Sequence, residues 1–370
     1  MSETCNPVIR GGRRTDLDAV KGIGIILMVI GHSGFPFSNW IYLFHMALFF
    51  VASGYLWDEK HSDSLAATWQ YTKKKISTLW LPYALGNSLF VLLSNTFVCV
   101  GIYSNNPLFL DIAGYDASLI QIMSIKRIVV EIVKSFLFFG GSQLGGALWF
   151  LRCMFIVNIV HCLLCWVLKK SKWYKPVMIV IFIITLGLAW YVSLGHWQFL
   201  RGFKTEFAAY AAYLIGVGLG SWKKYKETLK GDKVKIGTAA VSFIGLCVLS
   251  RFGTVSLANG RIVNPLFFAL ATSFGWLMLH SLVLLVEKND FFVEMSKASV
   301  QIMIFHFLAF KLVSWIYLLI SGKESVLLAS FPVIVDVPGW LWIMYSIVGL
   351  LIPYIIYRIW GVMKVGLHKR

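Results

Sequence analysis

A lysine and two histidines near the start of this 370-residue chain are the residues whose types and spacing point to chemistry. His32 closes the segment Lys21-Gly-Ile-Gly-Ile-Ile-Leu-Met-Val-Ile-Gly-His32, in which only apolar residues and glycine separate the two basic ones. His45 enters the next apolar run. Ionisable side chains are expensive in hydrocarbon, and where they occur they face a protein interior or a watery cavity and mark a site. Imidazole takes and releases a proton near neutrality, which makes His32 and His45 candidates for acid–base work. Eleven residues of helix are about three turns and ~16 Å of axis, so Lys21 and His32 project from nearly the same face. A cation at one mouth and a base towards the other follow from that spacing. Asp18 lies on the same helix, and Gly22, Gly24 and Gly31 leave room for a close neighbour.

The elements that must carry these residues are read from composition and hydropathy. The chain is 58% hydrophobic and 14% charged, against roughly 25% charged in a soluble domain. Its mean hydropathy is +0.74. Apolar runs near 19–36, 40–57, 79–102, 147–168, 175–195, 205–222, 235–250, 262–286, 299–320 and 338–360 approach or exceed the ~20 residues that cross a bilayer as helix. The second is short. With the N-terminus inside, cytoplasmic segments hold 23 lysines and arginines and external ones 8, the asymmetry that orients a membrane protein. The expected fold is an all-α polytopic membrane protein of about ten transmembrane helices, both termini cytoplasmic. Residues 1–18 read as a leader, 19–360 as one membrane domain and 361–370 as a basic tail. The first apolar run lacks a small-residue cleavage site and reads as a retained helix. The net charge of +17 is spread over short inter-helix clusters, which argues for topology and against a nucleic-acid surface.

Within the external loop 103–146, Ile122, Ile125, Ile128, Val129, Ile132, Val133 and Phe136 recur at helical spacing, with Lys126, Arg127, Glu131 and Lys134 between them. This predicts an amphipathic helix on the outer surface, either a cover for the bundle or a lid hinged at Gly140, Gly141, Gly145 and Gly146. Cys162 and Cys165 lie within a membrane helix with no second pair and read as packing residues. His306 is a weaker candidate, placed nearer the inner end of its helix and some distance from His32. Lys311 sits mid-span and needs a polar partner. Glu206, at the outer start of the sixth run, is placed to lend charge to an external mouth. No metal-binding cluster, phosphate-binding loop or nucleophile elbow is present.

Asp18-x-x-Lys21 followed by His32, then Phe44-His45-Met46-x-Leu48-Phe49-Phe50-x-x-Ser53-Gly54-Tyr55, resembles the signature of the membrane acyltransferase-3 family, in particular its fucose 4-O-acetylase-like branch. The resemblance extends to Lys73-Lys74-Lys75 before Leu81-Pro82-Tyr83 and to Ala147-Leu148-Trp149-Phe150-Leu151. The family pattern of a basic residue, ten residues and histidine is met by Lys21 and His32; its basic pair with one residue between is matched loosely by Lys73 and Lys75. The resemblance implies transfer of an acyl group, commonly acetyl from cytoplasmic acetyl-CoA, to an extracytoplasmic or lipid-linked carbohydrate at a bacterial cytoplasmic membrane, as in polysaccharide modification of a cell envelope. It further implies that His32 is a general base or transient acyl acceptor, that Lys21, Lys73 and Lys75 hold the CoA phosphates, and that His45 orients the acceptor or stabilises the oxyanion. Asp18, Ser53, Trp149 and Glu206 are expected to support the site. No metal is expected. The alternative is a transporter or flippase for a lipid-linked glycan, which would move substrate without CoA.

Overall fold

The computed structural model describes residues 9–10, 13–113, 118–169, 171–196, 203–222, 225–286 and 289–368. Most of the leader, Cys5 and the last two residues of the basic tail lie outside the described residues. After a two-residue antiparallel pairing of Ile9–Arg10 with Arg13–Arg14 the described chain is helical. Its helices are α1 (Thr15–His32), α2 (Ser38–Tyr42), α3 (His45–Tyr55), α4 (Leu65–Lys75), α5 (Leu81–Leu92), α6 (Ser94–Cys99), α7 (Leu108–Ala113), α8 (Ile125–Phe136), α9 (Trp149–Leu168), α10 (Tyr174–Ser193), α11 (Lys204–Ser221), α12 (Tyr225–Thr228), α13 (Asp232–Leu249), α14 (Pro265–Leu285), α15 (Asp290–Lys297), α16 (Ser299–Ser321) and α17 (Leu341–His368). Each apolar run read from the sequence contains helix. Gly146–Leu168, Tyr174–Ser193, Pro265–Leu285, Ser299–Ser321 and Leu341–Met363 are long and apolar enough to cross a membrane. The other runs are shorter, broken or charged at an end: α1 begins with Asp16, Asp18 and Lys21, the second run splits into α2 and α3, and the third into α5 and α6. The hydropathy pattern is thus that of a multi-pass membrane protein.

Local chemistry explains the ends. The Ser64 hydroxyl accepts from Ala67 N at 3.1 Å and starts α4; Ser124 does the same for α8 through Arg127 N at 3.3 Å. Asn264 caps α14 through Phe267 N at 2.8 Å, with Pro265 preset for the first turn. Gly34, two residues beyond α1, takes φ +85°, a left-handed conformation that turns the chain away from the helix.

The chain divides into two compact units, each assembled from separated stretches. One holds residues 1–28, 39–78 and 153–297. Its α3 packs along α11 and α14, and α14 along α13. Gly54 of α3 lies against the Tyr213 carbonyl and Gly216 of α11 against the Val51 carbonyl, so closely that a side chain at either would strike backbone. Small residues permit this approach between apolar helices, where packing rather than the hydrophobic effect drives association.

The other unit holds residues 29–38, 79–152 and 298–370. There α16 packs on α17, with Phe310 edge-on to Tyr345 at 5.4 Å and Ser314 hydrogen-bonded to the Tyr345 hydroxyl at 2.9 Å. The expected amphipathic helix is present as α8, and it packs on α5. Its apolar stripe is divided: Ile128, Ile132 and Phe136 are half-buried, while Ile125, Val129 and Val133 are exposed. Of the glycines expected to act as a hinge, Gly140 is pinned. Its carbonyl accepts from the Tyr83 hydroxyl at 2.8 Å and its N–H donates to Lys134 O at 2.9 Å.

Candidate active site

His32 is the last residue of α1, and its turn belongs to the second unit. Its Nδ1 lies 3.2 Å from Nε2 of His306 on α16. The two rings stack with 16° between their planes and centroids 5.4 Å apart. Phe307 covers both, 4.0 Å from the His306 ring and 5.0 Å from that of His32. His306 is fully buried, whereas His32 is half-buried. The expectation that His306 stands apart from His32 is corrected: the two are hydrogen-bonded. Alternating full crossings would put them at different depths, yet the last residue of α1 meets the eighth residue of α16. Close by, the Gly146 Cα faces the rings of Phe331 and Phe307, where a Cβ would lie 3.3 Å and 3.5 Å from them. Trp149, half-buried, opens α9 three residues later.

Lys311, one and a half turns beyond His306, has the polar partners its burial demands. Its Nζ donates to Leu328 O at 3.0 Å and Ser330 O at 2.5 Å. It fastens the 3-10 turn Ser325–Ala329 to α16.

The first unit contains the cations. Lys21 pairs with Asp18 one turn earlier on α1 at 3.8 Å. Lys75, the last residue of α4, lies over the Tyr71 ring at 5.0 Å and close enough to Lys21 for the two charges to repel. Burial, then Lys21 and Lys74, push its ammonium down to about 8, against a smaller opposing pull from Cys162. Lys73 is exposed and sits over Trp69 at 5.4 Å. Residues i and i+2 of a helix face different ways, so of the two expected phosphate-holding lysines Lys75 is the one drawn to Lys21. His61 stacks on Tyr71 at 4.5 Å, and burial lowers its pKa, with Lys75 and Lys74 acting in the same sense and Asp58 against them. No spacing in the sequence links His61 to this cluster; the turn between α3 and α4 does.

His45 also lies in the first unit, buried at the start of α3, with Nδ1 donating to Ile41 O at 2.9 Å and its ring 5.3 Å from Tyr42. Ser53 donates to Asn158 Oδ1 at 3.1 Å, and the Tyr71 hydroxyl donates to the same oxygen at 2.6 Å. Ser53 therefore joins α3 to α9 and α4. Glu206 is buried in the first turn of α11. Cys162 and Cys165 are buried thiols, the first 3.5 Å from His61 O and the second 3.4 Å from His161 Nε2.

The hydrogen-bonded imidazole pair, with Phe307 against both rings, can hold and pass a proton. In the first unit Lys21 of α1 and Lys75 of α4 bring positive charges together. The family model for the acyltransferase-3 domain, described as an acyltransferase domain, matches residues 14–358. The chain belongs to the acyltransferase-3 family. No curated protein and no solved structure matches it. The acyltransferase is thus a membrane-type enzyme that transfers acyl groups. The matched span runs from Arg14 to Arg358 and so includes Lys21, His32, Lys75 and His306. Of these, the acyltransferase sequence singled out the first three through one motif and one basic run; His306 carried no motif.

Proposed function

We propose that the acyltransferase moves an acyl group, acetyl in the simplest case, from cytoplasmic acyl-CoA to a hydroxyl of an extracytoplasmic or lipid-linked carbohydrate, with His32 as the base. We take the ten apolar runs as ten crossings with both termini in the cytoplasm of a bacterial inner membrane. The observation that carries the reading is the His32–His306 contact at 3.2 Å, which gives an imidazole at the end of α1 a fixed orientation inside the protein.

The chemistry is balanced with one proton carrier. His32 takes the proton of the acceptor hydroxyl as its oxygen attacks the thioester carbonyl. The tetrahedral intermediate expels the CoA sulfur, the C–S bond breaks, and the imidazolium returns the proton to that sulfur. The products are the O-acyl sugar and free CoA. Lys21 and Lys75 suit the CoA phosphates, since a cationic donor gains most from an anionic acceptor where water is partly excluded. Anion binding at Lys75 also relieves its repulsion by Lys21. Lys73, being exposed, adds a weaker, screened attraction. His45 and Glu206 are assigned to the acceptor side, and Asp18, Ser53 and Trp149 to support.

The test is acyl transfer by the purified protein in nanodiscs, from radiolabelled acetyl-CoA to a panel of lipid-linked glycans. The expected result is labelled ester that hydroxylamine releases. Movement of glycan across a vesicle without CoA, and no ester, would replace this reading with the transporter one.

A further inference from the structure

We infer that His306 is a positioning residue for this chemistry: it holds His32 as the Nδ1–H tautomer, so that the lone pair that meets the acceptor hydroxyl lies on Nε2. The inference rests on the proposed role of His32 as base.

Nδ1 of His306 is 2.9 Å from Ile302 O and 3.2 Å from Met303 O, one turn back on α16. Both are carbonyl oxygens and can only accept. A lone pair on Nδ1 would face two others, so Nδ1 carries the proton. A neutral imidazole has a single N–H, and Nε2 of His306 is therefore the acceptor. That atom faces His32 Nδ1 at 3.2 Å, so His32 Nδ1 donates. The lone pair of His32 then falls on Nε2, the ring atom on the side away from Nδ1.

Geometry makes the assignment rigid. The two carbonyls belong to the helix that bears His306, so the anchor moves only if α16 does. Full burial keeps water from competing for the His306 nitrogens. Phe307 and the 16° stack leave the rings little freedom to turn. When Nε2 takes the hydroxyl proton, the Nδ1–H···Nε2 bond becomes charge-assisted and shortens. It is then stronger in the transition state than in the ground state, the condition for an interaction to raise kcat. A packing role for His306 would fix the same tautomer but would not require this strengthening in the transition state.

Two measurements test it. In the full-length wild-type protein labelled with ¹⁵N-histidine in nanodiscs, the long-range ¹H–¹⁵N pattern of His32 and of His306 should each show a protonated Nδ1 and an unprotonated Nε2. A protonated His32 Nε2 overturns the inference. In the transfer assay, His306→Phe keeps the ring and removes the acceptor; kcat should fall roughly 10²–10⁴-fold with the KM for acetyl-CoA unchanged. His306→Gln, whose amide oxygen can accept from His32 Nδ1, should recover at least about tenfold of that loss. Unchanged kcat in His306→Phe, or equal losses in the two variants, overturns it. The nitrogen spectrum requires no turnover: if the wild type transfers no acyl group, the proposed function fails while the tautomer is still read.

Discussion

His306 and Lys75 are both nitrogen bases withdrawn from water, and they are answered in opposite ways. Around His306 stand two carbonyls, a second imidazole and a phenyl ring. Each of its nitrogens has one assigned role, and the environment suits a neutral ring. Around Lys75 stand two other lysines and the face of Tyr71. Like charges are gathered there, with Asp18 beside Lys21 at 3.8 Å. The first arrangement is complete as it stands and determines direction, that is, which atom donates to which. The second gathers positive charge at a cost to the Lys75 ammonium. Orientation and charge are thus supplied by different devices on the same kind of atom.

The largest effect should follow the loss of the oriented base. His32→Ala should lower kcat by at least roughly 10³-fold, while equilibrium binding of CoA, read by calorimetry, stays within about twofold; full activity would remove His32 from the reaction. Next, Lys75→Met should raise the KM for acetyl-CoA roughly tenfold and leave kcat nearly unchanged. The same variant should melt higher than the wild type at pH 7. The folded chain holds the Lys75 proton only below about 8, whereas an ordinary lysine holds it up to about 10.5. Between those pH values the unfolded chain binds more protons, so stability rises with pH there, and below about 8 the full cost is present. A lower melting temperature for Lys75→Met would show the cluster to be satisfied rather than strained.

A smaller, graded effect is expected from pH itself. Wild-type affinity for acetyl-CoA should weaken severalfold from pH 7 to pH 9, because binding takes up a proton at Lys75 once the pH exceeds about 8. Lys75→Arg, charged throughout, should flatten that profile. Lys311→Met would leave the Leu328 and Ser330 carbonyls without their donor, costing about 1–3 kcal/mol in stability, visible as a lower melting temperature with KM unchanged. Least of all, Lys73→Ala should shift the KM for acetyl-CoA by less than about twofold, since exposed charges are screened; a shift equal to that of Lys75→Met would erase the distinction between the two lysines.

Hydropathy and basic-residue placement announced the helices because burial in an apolar phase is written residue by residue. The 3.6-residue period announced α8 for the same reason, though not which half of its stripe packs on α5. The break between α2 and α3 was not legible, since Leu43 and Phe44 are as apolar as their neighbours. Lys311 was legible as a demand for a partner, but the groups that meet it are backbone carbonyls 17 and 19 residues on, which no side chain marks.

The order of residues alone determined a multi-pass membrane chain, a lysine and a histidine eleven positions apart on one helix, and the family to which that spacing belongs. Each of these depends on local composition or on the period of a single helix. Tertiary structure decided the partner of His32. His306 is 274 positions away, and nothing in an apolar helix dictates which residue of a distant helix it will meet. That contact is set by how side chains interlock once helices pack, and the interlocking, through the carbonyls of Ile302 and Met303, chooses which nitrogen of His32 bears the proton.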